Sequence, residues 1–500
     1  MKDKKVLWTI VCSAIAMGAN YLIQFFLTPF ITETVGTEAY GFVSLAKQFT
    51  NYAGVITIAL NAYATRYIAV SFHQGELDRC NTYFSSVLIA DCIIGAVIFA
   101  LFAAVTYKLE FILRISQEIV TQVKLLFLLS GVTFGITTAF TVFSSSAYIK
   151  NQLDKANLLK CGCYVLEAMA LVVLFYCLPT KVWYIGIGTT LSAVLISATN
   201  YYLYRKYTPE IRFSRKKLSL AAIRELVGNG IWNSLNSLGN ILNSGLDLII
   251  TNLMLPEIAM GQLAIAKMIS GMFFALFQML SQPFHPVFLK DYSKGDKDVL
   301  LKDLNKAVIV CGFFSNLAFA GFFALGVLYY ELWIPNQDIQ TVWLLTVITI
   351  LSSVVEGAVY PLYYIYTLTV KNKIPCLITI AGGILNVISM YLLLKYTNLG
   401  AYAVVLTTAV IMTFINVVTN PLYMARCLKL APYKLYPMLI KHIFSCITMT
   451  WLCCLVAKIP MRTTWISFLL KAMICCLVCT PVHFLITARG IRFRKKEDHI

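Results

Sequence analysis

Fourteen apolar stretches, each long enough to cross a lipid bilayer, leave this chain little sequence with which to build anything else. A helix needs roughly 20 apolar residues to traverse the hydrocarbon, and such stretches centre near residues 19, 53, 95, 132, 168, 193, 241, 273, 318, 355, 385, 411, 448 and 475. Backbone groups find no water there, so each stretch must close its own hydrogen bonds as a helix. The connections are short and leave no room for a soluble catalytic domain. With 59% hydrophobic and 13% charged residues, the chain is polytopic rather than water-soluble.

The net charge of +18 follows the membrane and not a nucleic-acid surface. With the N-terminus inside, the cytoplasmic segments hold Lys2, Lys4, Lys5, Arg66, Arg79, Lys150, Lys155, the run from Arg205 to Arg224, Lys290 to Lys306, Lys371, Lys373, Arg426 to Lys441 and Arg489 to Lys496. The opposite loops hold chiefly Lys108, Arg114, Lys181, Lys395, Lys458 and Arg462. That asymmetry obeys the positive-inside rule and places both termini in the cytoplasm. Lys2 to Lys5 precede an apolar run that continues to about Ile31 without a small-residue cleavage site, which reads as a first transmembrane helix and not a signal peptide. The fifteen cysteines lie mostly within apolar helices and read as small buried residues, with no metal or disulfide framework.

The chain is also duplicated. The segment from Gly41 to Lys47 returns 220 residues later as Gly261 to Lys267, and the same offset pairs Asn20 with Asn240, Ala39 with Ala259, Gly75 with Gly295 and Asp78 with Asp298. Tyr148 to Gln152 echoes Thr369 to Lys373 at an offset of 221. Six helices per copy is an even number, so both copies share one orientation, as in transporters built from parallel repeats. The expected architecture is all-α with about fourteen transmembrane helices. It has a six-helix lobe (1–205), a basic cytoplasmic linker (206–226), a second six-helix lobe (227–425), and two added helices with a cytoplasmic tail (426–500) that read as a lipid-facing accessory.

Polar residues inside the apolar stretches show where lipid is absent. Asn229, Asn233, Asn236, Asn240, Asn243 and Asp247 are spaced by three and four residues, which lines them along one face of the seventh helix. Such a stripe either glues helices together through amide hydrogen bonds or lines water. Six groups in one register favour a water-filled cavity. The second helix presents Lys47, Asn51, Asn61 and Thr65 at the same spacing, and the eighth presents Lys267, Gln278, Ser281 and His285 at the duplicated positions. With Asn20 and Gln24 on the first helix, helices 1, 2, 7 and 8 are expected to enclose a central hydrophilic cavity.

A charge at the centre of a bilayer costs about 2.5 to 3.5 kcal/mol on insertion scales, so each one needs a reason. Asp247 and Lys267 flank the turn at Leu255 and Pro256 at similar depth and read as a candidate salt bridge. Lys47 has no acid in its own helix pair, because the counterpart of Asp247 is Leu27, and it reads as a cation for a phosphate or another anion. Asp91, Glu167 and Glu356 lie near mid-depth and are candidate ion-coupling groups along with Asp247. Glu356 stands beside a kink expected from Pro361. Asp296, Lys297 and Asp298 form a D-x-D sequence that reads as a solvated loop, and no phosphate-binding glycine loop, zinc-type histidine pair or nucleophile elbow is present.

The six-plus-six-plus-two arrangement, the turn from Val35 to Gly41 before the second helix, the run from Thr65 to Ala69 and Gly75 after it resemble one family. The chain is similar over about residues 1 to 490 to the Wzx-type polysaccharide (O-antigen) flippases of the multidrug/oligosaccharidyl-lipid/polysaccharide (MOP) exporter superfamily. The resemblance implies two lobes in a V, alternating access, and translocation of polyprenyl-diphosphate-linked oligosaccharide across the bacterial cytoplasmic (inner) membrane for surface polysaccharide such as lipopolysaccharide O-antigen. On that reading Lys47, Arg66 and Lys267 serve the diphosphate, and Asn51, Asn61, Asn233, Asn236, Asn240 and Gln278 serve the glycan. The resemblance implies no enzyme activity and no cofactor, with H+ or Na+ as a possible coupling ion. Its partners would be the lipid-linked substrate, the membrane and the polysaccharide polymerase and glycosyltransferases, with no nucleic acid. The alternatives are a MATE-type multidrug/ion antiporter, whose cationic drugs would favour a more acidic and aromatic cavity, and a lipid II flippase. A membrane glycan polymerase or ligase would want a large external loop, which the sequence lacks.

Overall fold

In the computed structural model, which describes residues 2–488, every regular element among the described residues is helical. The basic groups Lys2, Lys4, Lys5 and Arg489 to Lys496 lie outside the described side chains. Twelve helices are long and apolar enough to cross a membrane. The sixth and seventh of the fourteen expected, Trp183–Tyr207 and the broken helix Leu220–Asn240, Ile241–Gly245, Asp247–Met254, are long enough but too polar to register by hydropathy. One carries tyrosines and a basic last turn, the other the asparagine stripe. Numbered in chain order, spans 1 to 5 are Lys2–Thr34, Thr37–His73, Leu77–Tyr107, Val120–Ile149 and Leu153–Cys177. Spans 6 and 7 are the two just given, and span 8 is Glu257–Ser281, continued by the short helix Phe284–Ser293. Spans 9 to 14 are Lys297–Trp333, Ile339–Leu368, Lys373–Tyr396, Ala401–Cys427, Pro432–Ala457 and Trp465–Thr487. Large apolar side chains such as Val172, Ile447, Trp451 and Leu477 stand exposed around these helices, as a lipid-facing surface requires. The chain is a multi-pass membrane protein.

Packing divides the chain into two compact units, Met1–Ala264 and Ile265–Ile500. The duplication and the packing therefore do not part at the same place, because span 7 packs along span 2 and is counted with the first unit. Each unit repeats the other's local geometry. The turn after span 2 closes at Gly75 with φ 77°, and the turn after span 8 closes at Gly295 with φ 75°. Their capping bonds match at an offset of 220: Gly75 N–H donates to Phe72 O, and Gly295 N–H to Tyr292 O. Core residues match too. Ile68, Cys80 and Phe84 are buried in one unit, Phe288, Leu300 and Leu304 in the other.

From span 4 onward the register differs from the sequence reading. Span 4 breaks into a 3-10 turn at Thr141–Ser144, and span 10 does so at Tyr360–Tyr363. Both then end on a left-handed residue, Asn151 with φ 50° and Val370 with φ 53°. The geometric offset there is 219 and not 221, because a match of residue types slid along the chain until lysine met lysine, whereas the backbone bonds pair Lys150 with Thr369. The kink expected at Pro361 is present. Its copy in span 4 contains no proline, and there the hydroxyls of Thr141, Ser144, Ser145 and Ser146 bond backbone carbonyls instead.

Spans 13 and 14 are not simply a lipid-facing accessory. His442 Nε2 donates to Val354 O at 2.9 Å, His483 Nε2 to Ile309 O at 3.0 Å, and Ser445 joins His483 Nδ1 at 2.8 Å. Asn316 donates to the carbonyl of His442. These groups are almost wholly buried, and they tie the added pair to spans 9 and 10. The D-x-D sequence is a helix cap, since Asp296 accepts from the N–H groups of Asp298 and Val299.

Candidate functional site

Small residues let spans 2 and 7 approach closely. A methyl added at Gly230 would stand 1.9 Å from the carbonyl oxygen of Ala59, and Ser234 Oγ donates to Val55 O one turn away. Tyr52 then donates to Gly245 O. Rising numbers on span 7 meet falling numbers on span 2, so the two run antiparallel. The face of span 7 that makes this contact is buried at Leu226, Gly230 and Ser234, which turns Asn229, Asn233, Asn236 and Asn240 to the accessible surface. On span 2, Lys47, Asn51 and Arg66 are exposed and Asn61 is half-buried. Stepping about 100° per residue from the contact residues, the amide stripe and the Lys47–Asn51 face lie on the same side of the helix pair.

The partners of these groups separate glue from site. Asn229 donates to the Tyr67 hydroxyl at 2.9 Å, Asn51 to Gln48 at 3.1 Å, and Asn61 to the Asp91 carboxylate at 2.8 Å. By contrast, the side chains of Lys47, Arg66, Asn233, Asn236 and Asn240 make no hydrogen bond or ion pair among the described residues. Two cations and three amides are thus accessible and unbonded. Lys47 and Arg66 lie 19 residues apart on one helix, about 28 Å at 1.5 Å per residue, which is close to the thickness of the hydrocarbon.

Three sequence expectations change. The amide stripe does not run through to Asp247. At Ile241–Gly245 the helix widens to a π turn, whose extra residue rotates the rest of the span, so Asn243 and Asp247 are buried within the first unit. Asn243 bonds Gly239 O instead. Lys47 does have an acid within electrostatic reach: Glu167 of span 5, buried beside Ser192, acts on it without direct contact. Spacing along one helix pair could not show this, because span 5 lies about 120 residues further on. The polar edge of span 8 is interrupted too. The helix stops at Ser281 and restarts at Phe284, and His285 stacks on Tyr364 with ring centroids 4.4 Å apart.

The second unit carries a separate polar cluster around Glu356. The Tyr360 and Tyr363 side chains flank it, and the Gln278 amide bonds the Tyr360 hydroxyl. Tyr363 donates to Asn416 at 2.5 Å, Asn420 donates to Asn416 at 3.0 Å, and Tyr366 donates to Asn420 at 2.9 Å. Sequence reasoning missed Tyr363, Asn416 and Asn420, although the four-residue spacing of the two asparagines was available. Here they sit where span 12 widens to a π turn at Ile415–Thr419. Lys267 is half-buried in this unit.

Comparison with known proteins gives a consistent answer. The model of a family described as polysaccharide biosynthesis protein matches residues 5–290. The chain is 28% identical over 499 residues to the uncharacterized membrane protein EpsK of Bacillus subtilis, covering 96% of each chain. Among solved structures it superposes on an inward-facing multidrug resistance MATE family transporter of the MOP superfamily with a TM-score of 0.66 at 15% identity, over 84% of this chain and 99% of that one. It also superposes on the lipid II flippase MurJ in an inward closed conformation with a TM-score of 0.65 at 16% identity, over 96% of this chain and all of the other.

Proposed function

Because the chain belongs to the family of polysaccharide biosynthesis proteins and has the fold of the MOP exporters, we propose that it flips a polyprenyl-diphosphate-linked oligosaccharide across the bacterial cytoplasmic membrane by alternating access. The observation that carries this reading is the set of accessible, unbonded groups on spans 2 and 7: Lys47, Arg66, Asn233, Asn236 and Asn240. A diphosphate needs cations, and sugars need amides that both donate and accept. The polyprenyl tail can stay in lipid. The positive-inside rule puts both termini and the basic end of span 2 in the cytoplasm. Lys267 and Gln278 would face the same substrate from the second unit.

Asp91, Glu167, Asp247 and Glu356 are the candidate groups for H+ or Na+ coupling. Burial places each where its charge is costly unless an ion or a dipole compensates it. Cationic drugs are a poor fit, since Lys47 and Arg66 would repel them. Lipid II shares the polyprenyl-diphosphate head and differs in the glycan, so the amide stripe is where the two substrates would be told apart. The proposed flippase has no catalytic role of its own. It works with the glycosyltransferases that build the substrate and the polymerase that consumes it.

Purified protein reconstituted in liposomes should move a fluorescent polyprenyl-diphosphate oligosaccharide between leaflets. The Lys47→Ala variant should not. Transport of a cationic drug with no movement of the lipid-linked sugar would replace this reading with the antiporter.

A further inference from the structure

The first unit contains a recess of about 400 Å³ at the basic end of spans 2, 3 and 7, lined by Tyr63, Arg66, Tyr67, Gln74, Arg79 and Asn229. Its two charged groups are both arginines. Arg66 has neither a hydrogen bond nor an ion pair among the described residues, although it lies seven residues inside the end of span 2, about 10 Å from the helix terminus. Arg79 stands over the Tyr83 ring and meets Glu76 at 3.5 Å in an exposed pair, which contributes little and leaves the guanidinium free to exchange partners. The wall is fixed. Asn229 donates to Tyr67, Tyr67 packs edge-on against Tyr83, and Tyr83 donates to Glu225.

A cavity of about 430 Å³ elsewhere in the same unit is lined by Glu110, Arg114, Gln117 and Glu257, two acids and one base. Two recesses of similar size in one unit therefore carry opposite balances of charge. Neither arginine is repeated, since the duplicated positions are Pro286 and Val299. The scaffold does not require them.

We propose that the recess of Arg66 and Arg79 is a docking site for a lipid-borne phosphate at the cytoplasmic face, where the diphosphate of the substrate is captured before it enters the path toward Lys47. This rests on the flippase reading and adds the site of loading. Two planar guanidinium forks suit a diphosphate, which offers several charged oxygens, better than a single phosphodiester. Arg79 and Tyr67 become substrate-binding residues beside Arg66.

The test is binding by full-length protein in phosphatidylcholine nanodiscs, with polyprenyl diphosphate, phosphatidylglycerol and inorganic diphosphate as separate probes. Arg79→Gln and Arg66→Gln should each weaken polyprenyl diphosphate at least tenfold, and Arg66→Lys should retain part of the affinity. Arg224→Gln, an exposed arginine near the same end but outside the recess, should bind as the unaltered protein does. Inorganic diphosphate should compete in an arginine-dependent way, though more weakly than the lipid. Wild-type affinity in a well-folded Arg66→Gln/Arg79→Gln protein overturns the site. Displacement of polyprenyl diphosphate by equimolar phosphatidylglycerol assigns the recess to bulk anionic lipid and overturns the loading role. Arginine-dependent binding by a protein that flips nothing would leave the site standing and remove the flippase reading alone.

Discussion

The two copies of the repeat agree in their turns and disagree in their charges. Gly75 and Gly295 close equivalent loops with nearly the same φ, and spans 4 and 10 break and end alike. At mid-membrane the copies part. Asp91 corresponds to Cys311, and Asn61, which bonds Asp91, corresponds to Ser281. Glu356 corresponds to Thr137, and at the depth of Glu167 span 11 buries the neutral amide Asn386. Duplication copied the scaffold. The charges, costly in lipid and absent from one copy each time, are what a scaffold does not need.

Lys47 tests this comparison most severely. It is repeated as Lys267, yet it is exposed and unbonded, with Glu167 in reach but not in contact. Lys47→Ala should leave protein abundance unchanged and reduce export of surface polysaccharide at least about a hundredfold, roughly 2.7 kcal/mol of lost interaction. Lys47→Arg should keep part of the activity, because a guanidinium still pairs with phosphate. Full export by Lys47→Ala at normal protein levels would take the anion path away from span 2.

The next contrast sets Asn61 against Ser281. Asp91 is fully buried, and one of its oxygens already lacks a partner. Asn61→Ala would leave the other without one, at a cost of about 1 to 3 kcal/mol, read as a lowered melting temperature in detergent. Asp91→Asn in the same protein should restore part of the loss. Ser281 only bonds Gln278 O on its own helix, so Ser281→Ala should change stability by less than about 0.5 kcal/mol. Equal losses at the two positions would mean that the Asn61–Asp91 bond contributes nothing particular to the first unit.

Much of the fold was legible because lipid and duplication both write in the sequence. Apolar length marks the spans, and a lysine repeated at 220 residues sets the register of spans 2 and 8. The failures have one cause. A helix was treated as unbroken wherever its periodicity continued, and π turns at Ile241–Gly245 and Ile415–Thr419 and the break before Phe284 all interrupt that periodicity. The site was legible where its residues share one helix, as in Asn233, Asn236 and Asn240. It was not where it depends on packing between distant helices, as with Glu167 beside Lys47, Arg79 beside Arg66, or the histidines that tie spans 13 and 14 to their neighbours.

If the scaffold is copied, equivalent loops should fail equally. Gly75 and Gly295 both hold positive φ, and a methyl added at either meets nothing within 4 Å. The cost of Gly75→Ala and Gly295→Ala is therefore backbone strain alone, about 1 to 2 kcal/mol each for an L-residue in that region. Thermal unfolding of the two variants should give shifts of similar size. A shift at one position more than twice that at the other would show that the turns match in shape but not in energy.

The smallest effect is also the sharpest, because the copies place different residues in the same strained conformation. Asn151 and Val370 end their helices with φ of 50° and 53°. Asparagine visits the left-handed region readily, whereas a β-branched valine is a genuine outlier there. Val370 is 85% exposed, so its side chain has little packing to lose. Val370→Asn should stabilise the protein by about 0.5 to 1 kcal/mol, and Asn151→Val should destabilise it by a similar amount. Exchanging both residues should leave stability near its original value, since the sites are far apart in sequence and carry the same local strain. If Val370→Asn instead lowers stability or export, valine is held there against its backbone preference for a reason outside the repeat, and the second copy has acquired a function at a turn that the first uses only to stop a helix.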